Sequence, residues 1–320
     1  MVTAKDDKTA IPSEINVSQS IDMYVNRKLR PELLSSAPMC AASLGKLIMV
    51  VLKKDISIKG NMSKFDYMKH PNSLPSTLLQ IISEGLVAFQ TIKSNMSRIC
   101  SKYPQIHSYM SANTRNLMTR DPEMIKDMVI DGLNNIMYYV NETQVLGNQI
   151  LPTFINAEKL IQEVIQAVVG AKLADLHNRN GWGHDATLKL FSELRELWAN
   201  LALFFHDVSL LFSKTNIKWQ NYMGLIETVG KSLTFDELVM NEIISEAEKF
   251  YHASSIACNV AKMYIKIYDS YIHQDFYHLR SLFGLEKEDI EQEIKHLEKR
   301  SVLISNEIAS QRLDMVNENA

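Results

Sequence analysis

The chain has 320 residues, of which 46% are apolar and 22% are charged, and its formal net charge at pH 7 is −3. This composition excludes wholesale disorder, and the length allows a substantial hydrophobic core. A protein that contacts nucleic-acid phosphates normally has a basic excess or a basic stripe, and the sequence has neither. We therefore expect a globular protein that does not bind nucleic acid.

The cysteines and the N-terminus give a first indication of the compartment. Cys40, Cys100 and Cys258 lie far apart in the sequence, and an odd number of cysteines cannot form a closed disulfide framework. We interpret them as buried small hydrophobic residues in a reducing compartment. Residues 1–19 are polar and lack the apolar region of a classical signal peptide. The sequence thus predicts a soluble protein, either cytoplasmic or released without such a signal.

Residues 1–75 are predicted to form short helices and a loop that pack on the rest of the chain. The first helix ends at Pro31, because proline is poorly tolerated inside a helix. A second helix is expected from about residue 32 to 53, with a kink or a restart near Pro38. Residues 55–75, which contain Gly60, Pro71 and Pro75, form the longest predicted loop.

Residues 76–320 are predicted to form long helices that belong to the same single domain. All eight prolines fall at or before Pro152, so the last 168 residues can form helices of great length. We expect a helix capped by Ser76 and interrupted at Tyr103-Pro104. Further helices are expected to begin at Asp121-Pro122 and at Pro152, and a tight connection is expected over residues 178–185.

The next helix has an unusually wide apolar surface. Its apolar residues recur with alternating steps of three and four, which is typical of a heptad seam: Phe191, Leu194, Trp198, Leu201, Phe205, Val208 and Phe212. A second row widens this surface: Leu190, Leu197, Phe204 and Leu211. Such a helix is either central in a bundle or in contact with lipid.

Two more helices complete the predicted fold. A capping box at Thr234 and Glu237 opens a helix that extends to about Leu282, and its later part carries an aromatic seam formed by Tyr264, Tyr268 and Tyr271. Gly284 is expected to end this helix, and a charged final helix follows over about residues 286–316. Strand signals are nearly absent. The predicted fold is all-α, an elongated antiparallel bundle of long helices.

No motif in the sequence predicts catalysis, a cofactor or a metal ion. The glycines form no phosphate-binding loop, and neither a serine nucleophile elbow nor a cysteine-protease signature occurs. Glu293-x-x-His296 and Asp275-x-x-His278 resemble halves of a di-iron site, but we interpret them as exposed helix polarity. We therefore expect no catalytic residue, no cofactor and no metal site, and hence no enzyme.

Leu197–Phe212 comes closest to a membrane segment. It spans only 16 residues and is interrupted by Asn200, His206 and Asp207, so it fails as a permanent span of 18 or more apolar residues. It can serve as a core helix or as a conditional membrane element. His206 and Asp207 are interpreted either as a hydrogen-bonded pair on the narrow polar face or as a pH-sensitive point.

Several of these residues also form a broader pattern. Its members are Asp185-Ala186 at a helix start, then Leu194, Leu197-Trp198, Phe205, Phe212 and Trp219, and later Glu246-x-x-x-Phe250-Tyr251. The pattern resembles the later helices of α-helical pore-forming toxins of the xenorhabdolysin type. The segment from Ile21 to Val25, with Leu29 and Pro31, is similar to the opening helix of that group. Its long glycine-containing apolar segment has no clear counterpart beyond residues 168–171.

The resemblance implies a bundle that rearranges, oligomerises and exposes an apolar helix to a lipid membrane. The candidate residues for that helix are Leu197, Trp198, Leu201, Phe204, Phe205, His206, Asp207 and Phe212. The polar pair His206 and Asp207 would then face a lumen or partner helices. The alternative is an intracellular interaction or scaffolding bundle without membrane activity. In that case Tyr264, Tyr268 and Tyr271 would serve self-association or the binding of another helical protein.

Overall fold

The computed structural model describes residues 30–53, 58, 65–118, 130–175, 182–232 and 237–317. In this part of the chain there is no strand, and a 3-10 turn at Pro31–Ser35 leads into a series of α-helices. These are α1 (Ser36–Lys53), α2 (Leu74–Met118), α3 (Ile130–Asn148), α4 (Ile150–Asp175), α5 (Trp182–Ser232), α6 (Glu237–Ile267), α7 (His273–Ser281) and α8 (Lys287–Asn317). The all-α class and the helical bundle predicted from the sequence are confirmed.

Helix α2 pairs with a nearly continuous run formed by α3 and α4. Only Gln149 separates these two helices, and its backbone N–H still donates to the Val145 carbonyl. Asn95 on α2 donates to the Leu146 carbonyl at 3.2 Å, and the Phe89 and Phe154 rings lie 5.3 Å apart. Along this contact the residue numbers of α3 and α4 rise as those of α2 fall, so the two segments run antiparallel.

Helices α5 and α6 complete a central four-helix arrangement. Phe205 on α5 packs on Tyr264 at 5.4 Å between ring centroids, and Trp219 packs on Phe250 at 5.2 Å. These pairs make α5 and α6 antiparallel, and α5 runs antiparallel to α4 in the same way. Since α5 has 51 residues, the bundle is roughly 75 Å long at a rise of about 1.5 Å per residue. These helices therefore have the elongated antiparallel arrangement that the sequence predicts.

Helices α1 and α8 form a second layer against one end of the four-helix bundle. Helix α1 lies on α5, and α8 lies on α1 and on the preceding 3-10 turn. Helices α1 and α8 approach each other closely at Gly45, where a Cβ would be in van der Waals contact with Ile294 at 3.4 Å and Leu297 at 3.6 Å. The Ser305 hydroxyl also donates to the Ser35 carbonyl at 3.1 Å. Helix α1 is thus enclosed between the bundle and α8.

The start of α2 corrects one sequence prediction. Ser76 was expected to cap this helix, but α2 already begins at Leu74. Ser73 is the capping residue, because its hydroxyl accepts a hydrogen bond from the Ser76 backbone N–H at 3.3 Å. The Thr77 N–H then donates to the Ser73 carbonyl at 2.9 Å and closes the first turn. Pro75 fits here because the first backbone N–H groups of a helix need no helical partner.

Prolines interrupt the helices less than the sequence suggests. Pro38 and Pro152 each occupy the third position of a helix, where no N–H donor is required. Pro104 lies well inside α2, so the predicted interruption at Tyr103-Pro104 is wrong. The buried side chains of Tyr103 and Ile106 pack into the same core on both sides of this proline and hold the two halves in line.

The C-terminal half is more continuous than predicted. The helix with the wide apolar surface over residues 190–212 extends to Ser232 as one helix, α5. The long helix predicted to reach Leu282 continues from α6 through a π-helical turn at Tyr268–Ile272 into α7, and a 3-10 turn ends it at Gly284. Residues 1–29, the predicted start at Asp121, residues 178–181 and Thr234 lie outside the described residues.

Candidate functional site

The Leu197–Phe212 segment of α5 lies at the centre of the four-helix bundle. Trp198, Leu201, Phe204 and Phe205 are completely buried, and Phe212 is 2% exposed. Leu197 is half-buried and packs against the same core, whereas Leu203 and Leu210 on the opposite face are exposed. Each buried aromatic or leucine side chain contributes about 1.5–3 kcal/mol of hydrophobic stabilisation. Exposing this face therefore requires the four-helix core to open.

Trp198 is the centre of an aromatic cluster that joins four helices. Its indole N–H donates to the Phe154 carbonyl at 3.1 Å, which satisfies the only polar atom of a fully buried ring. Phe154 and Phe89 pack against it with centroid distances of 5.3 and 5.8 Å. Phe276 on α7 closes the cluster against Phe89 at 5.0 Å. The periodicity predicted that Trp198 is buried, but not which helices meet there.

His206 and Asp207 are adjacent in sequence but have different roles in the structure. Asp207 Oδ2 accepts hydrogen bonds from Arg30 Nε at 3.1 Å and Nη2 at 2.9 Å. The nearest approach of His206 to this carboxylate is 3.8 Å, and the His206 side chain is half exposed. The main partner of Asp207 is therefore Arg30, 177 positions earlier, and sequence reasoning had no signal for this long-range pair.

The three tyrosines of the predicted seam do not form one surface. Tyr264 is fully buried, and its hydroxyl donates to the Phe89 carbonyl at 2.9 Å. Tyr268 is 4% exposed and lies in the π-helical turn. Tyr271 is half-buried, and its hydroxyl donates to Glu307 on α8 at 2.7 Å. Burial raises the pKa of both Tyr264 and Tyr268. Two of the tyrosines thus stabilise the interior, and the third joins the π-helical turn to α8.

Sequence reasoning missed the most membrane-like segment of the chain. The 21-residue stretch Glu32–Leu52 is the one helix among the described residues that is long and apolar enough to cross a membrane. Its most apolar part has a mean hydropathy of 1.5, and 72% of that part is buried. Between its ends the only charged residue is Lys46. The expected break at Pro38 divided this run, and the claim that no apolar segment is long enough was therefore wrong.

Polar contacts hold α8 over α1. Lys46 pairs with Glu298 at 2.7 Å, and both side chains are more than a third exposed. Exposed pairs of this kind contribute only about 0–1 kcal/mol. An open cavity of about 430 Å³ lies where α1, α5 and α8 meet, and Met39, Lys46 and Leu197 are among its lining residues. The outer side of α1 is therefore covered by a polar helix with weak electrostatic contacts.

The two D/E-x-x-H motifs identified in the sequence meet across α7 and α8. His278 Nε2 lies 2.9 Å from Glu293 Oε2, and Arg300 lies 3.4 Å from the buried Asp275 carboxylate. Burial raises the pKa of Asp275, while the positive charge of Arg300 opposes that rise. Among the described residues, no group of three or more His, Cys, Asp or Glu side chains has an arrangement that could hold a metal ion. These polar contacts join α8 to α7.

The structure thus defines an all-α helical bundle with an enclosed apolar helix. Comparison of the chain with models of known families, with curated proteins and with solved structures finds no match.

Proposed function

We propose that this protein is a non-enzymatic, membrane-active helical bundle that rearranges, exposes an apolar helix to lipid and oligomerises, as α-helical pore-forming toxins do. The observation that carries the proposal is the enclosed segment Glu32–Leu52, which has the length and hydropathy of a membrane-spanning helix. It replaces Leu197–Phe212 as the inserting element, because the latter is integral to the four-helix core.

The layered packing supports a release of α1 without loss of the central bundle. Helix α8 contacts mainly α1 and the 3-10 turn, so its departure uncovers the outer side of α1. The contacts that resist this movement are the apolar stripe of α8 and several polar contacts, among them Lys46–Glu298, Ser305–Ser35, Tyr271–Glu307, His278–Glu293, Arg300–Asp275, Arg300–Gln274 and Arg300–Ser270. The equilibrium between the closed and the open arrangement of α8 shifts when lipid binds the open arrangement more tightly than the closed one by a few kcal/mol.

A second candidate function is an interaction or scaffolding bundle without membrane activity. It is favoured by the complete burial of Trp198, Leu201 and Phe205 at the bundle centre, which is how a permanently folded core behaves. In this account α1 is also a permanent core helix, and partners bind the outer faces of the long helices. The two candidates differ in whether α1 ever leaves its position.

The decisive experiment is dye release from liposomes by the purified full-length protein. Phosphatidylcholine vesicles with and without an anionic phospholipid are tested from pH 5 to 8, with size-exclusion chromatography before and after lipid addition. The proposal predicts leakage together with a shift to a large oligomer. Absence of leakage from every vesicle, with an unchanged elution volume, would overturn the proposal and leave the interaction bundle.

A matched pair of variants tests the assignment to α1. Met39 on α1 is half-buried and lies near the middle of Glu32–Leu52, and Val302 on α8 is 52% exposed; both line the open cavity between α1, α5 and α8. Met39→Lys places a charge near the centre of the segment that must enter lipid, at a cost of about 2.5–3.5 kcal/mol, and should abolish leakage. Val302→Lys introduces the same charge outside α1 and should leak like the wild type. Thermal unfolding of both variants checks that the fold is retained, and equal leakage by folded Met39→Lys would contradict the role of α1.

A further inference from the structure

Cys100 and Cys258 are neighbours in the fold although 158 positions separate them in the sequence. Cys100 lies on α2 and Cys258 on α6, and the Cys100 Sγ is 3.7 Å from the Cys258 carbonyl oxygen. The two thiol groups are close enough for each to shift the pKa of the other. Their separation in the sequence gives no indication of this contact, and Cys100 is only half-buried. Cys40 is different, since it is completely buried on α1 and burial raises its pKa.

The surroundings of the pair favour a thiolate at Cys258. The neighbouring Cys100 thiol lowers the pKa of Cys258, and Lys262, one turn further along α6, adds to this effect against the opposing effect of burial. The same interaction raises the pKa of Cys100, which therefore stays protonated. One thiolate beside one thiol is the starting arrangement for oxidation to a disulfide, because the thiolate is the nucleophile.

The pair is close to solvent and lies between closely packed helices. Cys258 is 7% exposed, Cys100 is half-buried, and Lys262 is exposed. One turn before Cys258, the Ser254 hydroxyl contacts His107 of α2 at 3.2 Å. Small side chains on this part of α6 thus allow a near approach to α2, which a disulfide requires, since its two Cα atoms must lie within about 7 Å of each other. A small oxidant can reach the pair from the bundle surface.

We propose that Cys100 and Cys258 form a reversible disulfide that cross-links α2 to α6 when the protein meets a peroxide. The Cys258 thiolate attacks one peroxide oxygen, the O–O bond breaks, and Cys258 becomes a sulfenic acid while hydroxide leaves. The Cys100 sulfur then attacks the sulfenic sulfur, its proton leaves with the departing hydroxyl as water, and the S–S bond forms. In sum, two thiols are oxidised and one hydrogen peroxide is reduced to two waters.

The cross-link has a definite mechanical consequence. It joins the middle of α2 to the middle of α6 and closes a loop that includes α3, α4 and α5. A disulfide across such a long loop restricts the unfolded chain and holds two of the four central helices together. The site is independent of the proposed membrane activity, because it is defined by the two sulfurs and Lys262 alone.

The test is a titration of the full-length protein with hydrogen peroxide at pH 7.5, followed by intact mass measurement and peptide mapping. The expected result is the loss of two hydrogen atoms, a peptide pair linked through Cys100 and Cys258, and reversal by dithiothreitol. The melting temperature of the oxidised protein should rise by about 4 °C or more. Separate oxidation of each cysteine to sulfinic or sulfonic acid, without a linked peptide, would overturn the proposal.

Three cysteine variants test whether the oxidation belongs to the Cys100–Cys258 pair and not to any accessible thiol. Cys40→Ala should form the disulfide as the wild type does, because Cys40 is not part of the pair. In Cys100→Ser, oxidation should stop at a Cys258 sulfenic acid that dimedone traps, whereas Cys258→Ser should react more slowly with peroxide. Melting curves of the reduced variants show whether they are folded. Equal dimedone labelling of folded Cys100→Ser and Cys258→Ser would contradict the assignment of Cys258 as the attacking thiolate.

Discussion

Gly85 on α2 allows the aromatic cluster around Trp198 to form. A Cβ at this position would lie 2.9 Å from the Trp198 ring and 3.1 Å from Phe276, both of which are buried. We predict that Gly85→Ala destabilises the protein. The overpacking costs about 1–3 kcal/mol, which exceeds the gain of about 1 kcal/mol in helix propensity. Urea unfolding followed by circular dichroism measures the difference.

Gly170 on α4 provides the matched control for this substitution. It is exposed, and a Cβ there meets nothing within 4 Å. Gly170→Ala should therefore stabilise the protein by up to about 1 kcal/mol through helix propensity alone. If both alanine variants were stabilised equally, the close packing of Gly85 against Trp198 would be disproved.

Asp275 on α7 gives the protein a pH-dependent contribution to stability. Its side chain is 3% exposed, and burial raises its pKa despite the positive charge of Arg300 and the neighbouring His278 and His296. A carboxyl group with a raised folded-state pKa binds its proton more tightly when folded. Its contribution to stability is therefore fully present below the unfolded-state pKa and is lost as the pH rises through the folded-state pKa.

We predict that Asp275→Asn, which imitates the protonated carboxyl group, is at least as stable as the wild type at pH 7. As the pH is lowered from 7 to 4.5, the free energy of unfolding of the wild type should increase relative to that of the variant. Urea unfolding of both proteins at several pH values measures this difference. A difference that is constant over this range, or that shrinks on acidification, would contradict the raised pKa.

Single-residue environments were foreseeable from the sequence only where they follow from helical periodicity. The seam at Leu194, Trp198 and Leu201 is buried at the bundle centre, which is one of the two environments that the periodicity allowed, the other being lipid. The Arg30–Asp207 pair and the contact of Cys100 with Cys258 were not foreseeable. Both depend on which helices become neighbours and in what register, and periodicity within one helix contains no such information.

Pro104 is a residue of very low helix propensity that tertiary packing keeps inside a helix. It lies inside the 45-residue α2, where it removes one backbone donor, and its own side chain is exposed. We predict that Pro104→Ala stabilises the protein by about 1–3 kcal/mol, because it restores a helical hydrogen bond and removes a clash. The measurement is the midpoint of thermal or urea unfolding.

Gln105, the next exposed residue of α2, is the control position. Gln105→Ala changes the helix propensity only slightly and should shift the stability by less than about 0.5 kcal/mol. A loss of stability in Pro104→Ala would mean that the bundle requires the bend that proline imposes on α2.

For whole helices, the sequence predicted well which segments are helical. It predicted poorly where one helix continues without a break. Every predicted helix that falls within the described residues is present. The clear error lies at Pro104, where proline was interpreted as a break but is tolerated because α2 is packed on both sides of it. Near Pro38, the expected kink or restart corresponds to the change from the 3-10 turn to α1 at Ser36. Position in the helix and tertiary packing, neither of which is visible in a local pattern, decide the outcome.

The whole molecule combines two layers of different stability. The four long helices share an aromatic core, whereas α8 presents a single apolar stripe to the rest of the protein: Ile290, Ile294, Leu297, Ile304 and Ile308. Because α8 contacts mainly α1 and the 3-10 turn, its opening sacrifices few contacts of the central bundle. The layer formed by α1 and α8 is therefore the part expected to open before global unfolding.

Native-state hydrogen exchange measures this hierarchy directly. We predict that amides in the middle of α8 exchange with an opening free energy below that of global unfolding, while amides in the middle of α2 and α5 exchange only by global unfolding. Leu297→Ala removes a side chain that is 3% exposed at the α1–α8 contact and should cost about 2–5 kcal/mol. This cost lowers the free energy of global unfolding as well, because the intact contact is part of the native state.

The informative quantity is therefore the state reached when α8 opens. If α8 opens as a unit, Leu297→Ala lowers the free energy of opening of α8. The free-energy difference between the state with α8 open and the unfolded chain should then stay unchanged. The counterpart Leu201→Ala, at a fully buried position of α5, should narrow that gap and leave the opening of α8 unaffected. Uniform exchange of α8, α2 and α5 at the global free energy would show a single cooperative unit. The release of α1 would then require the unfolding of the entire bundle.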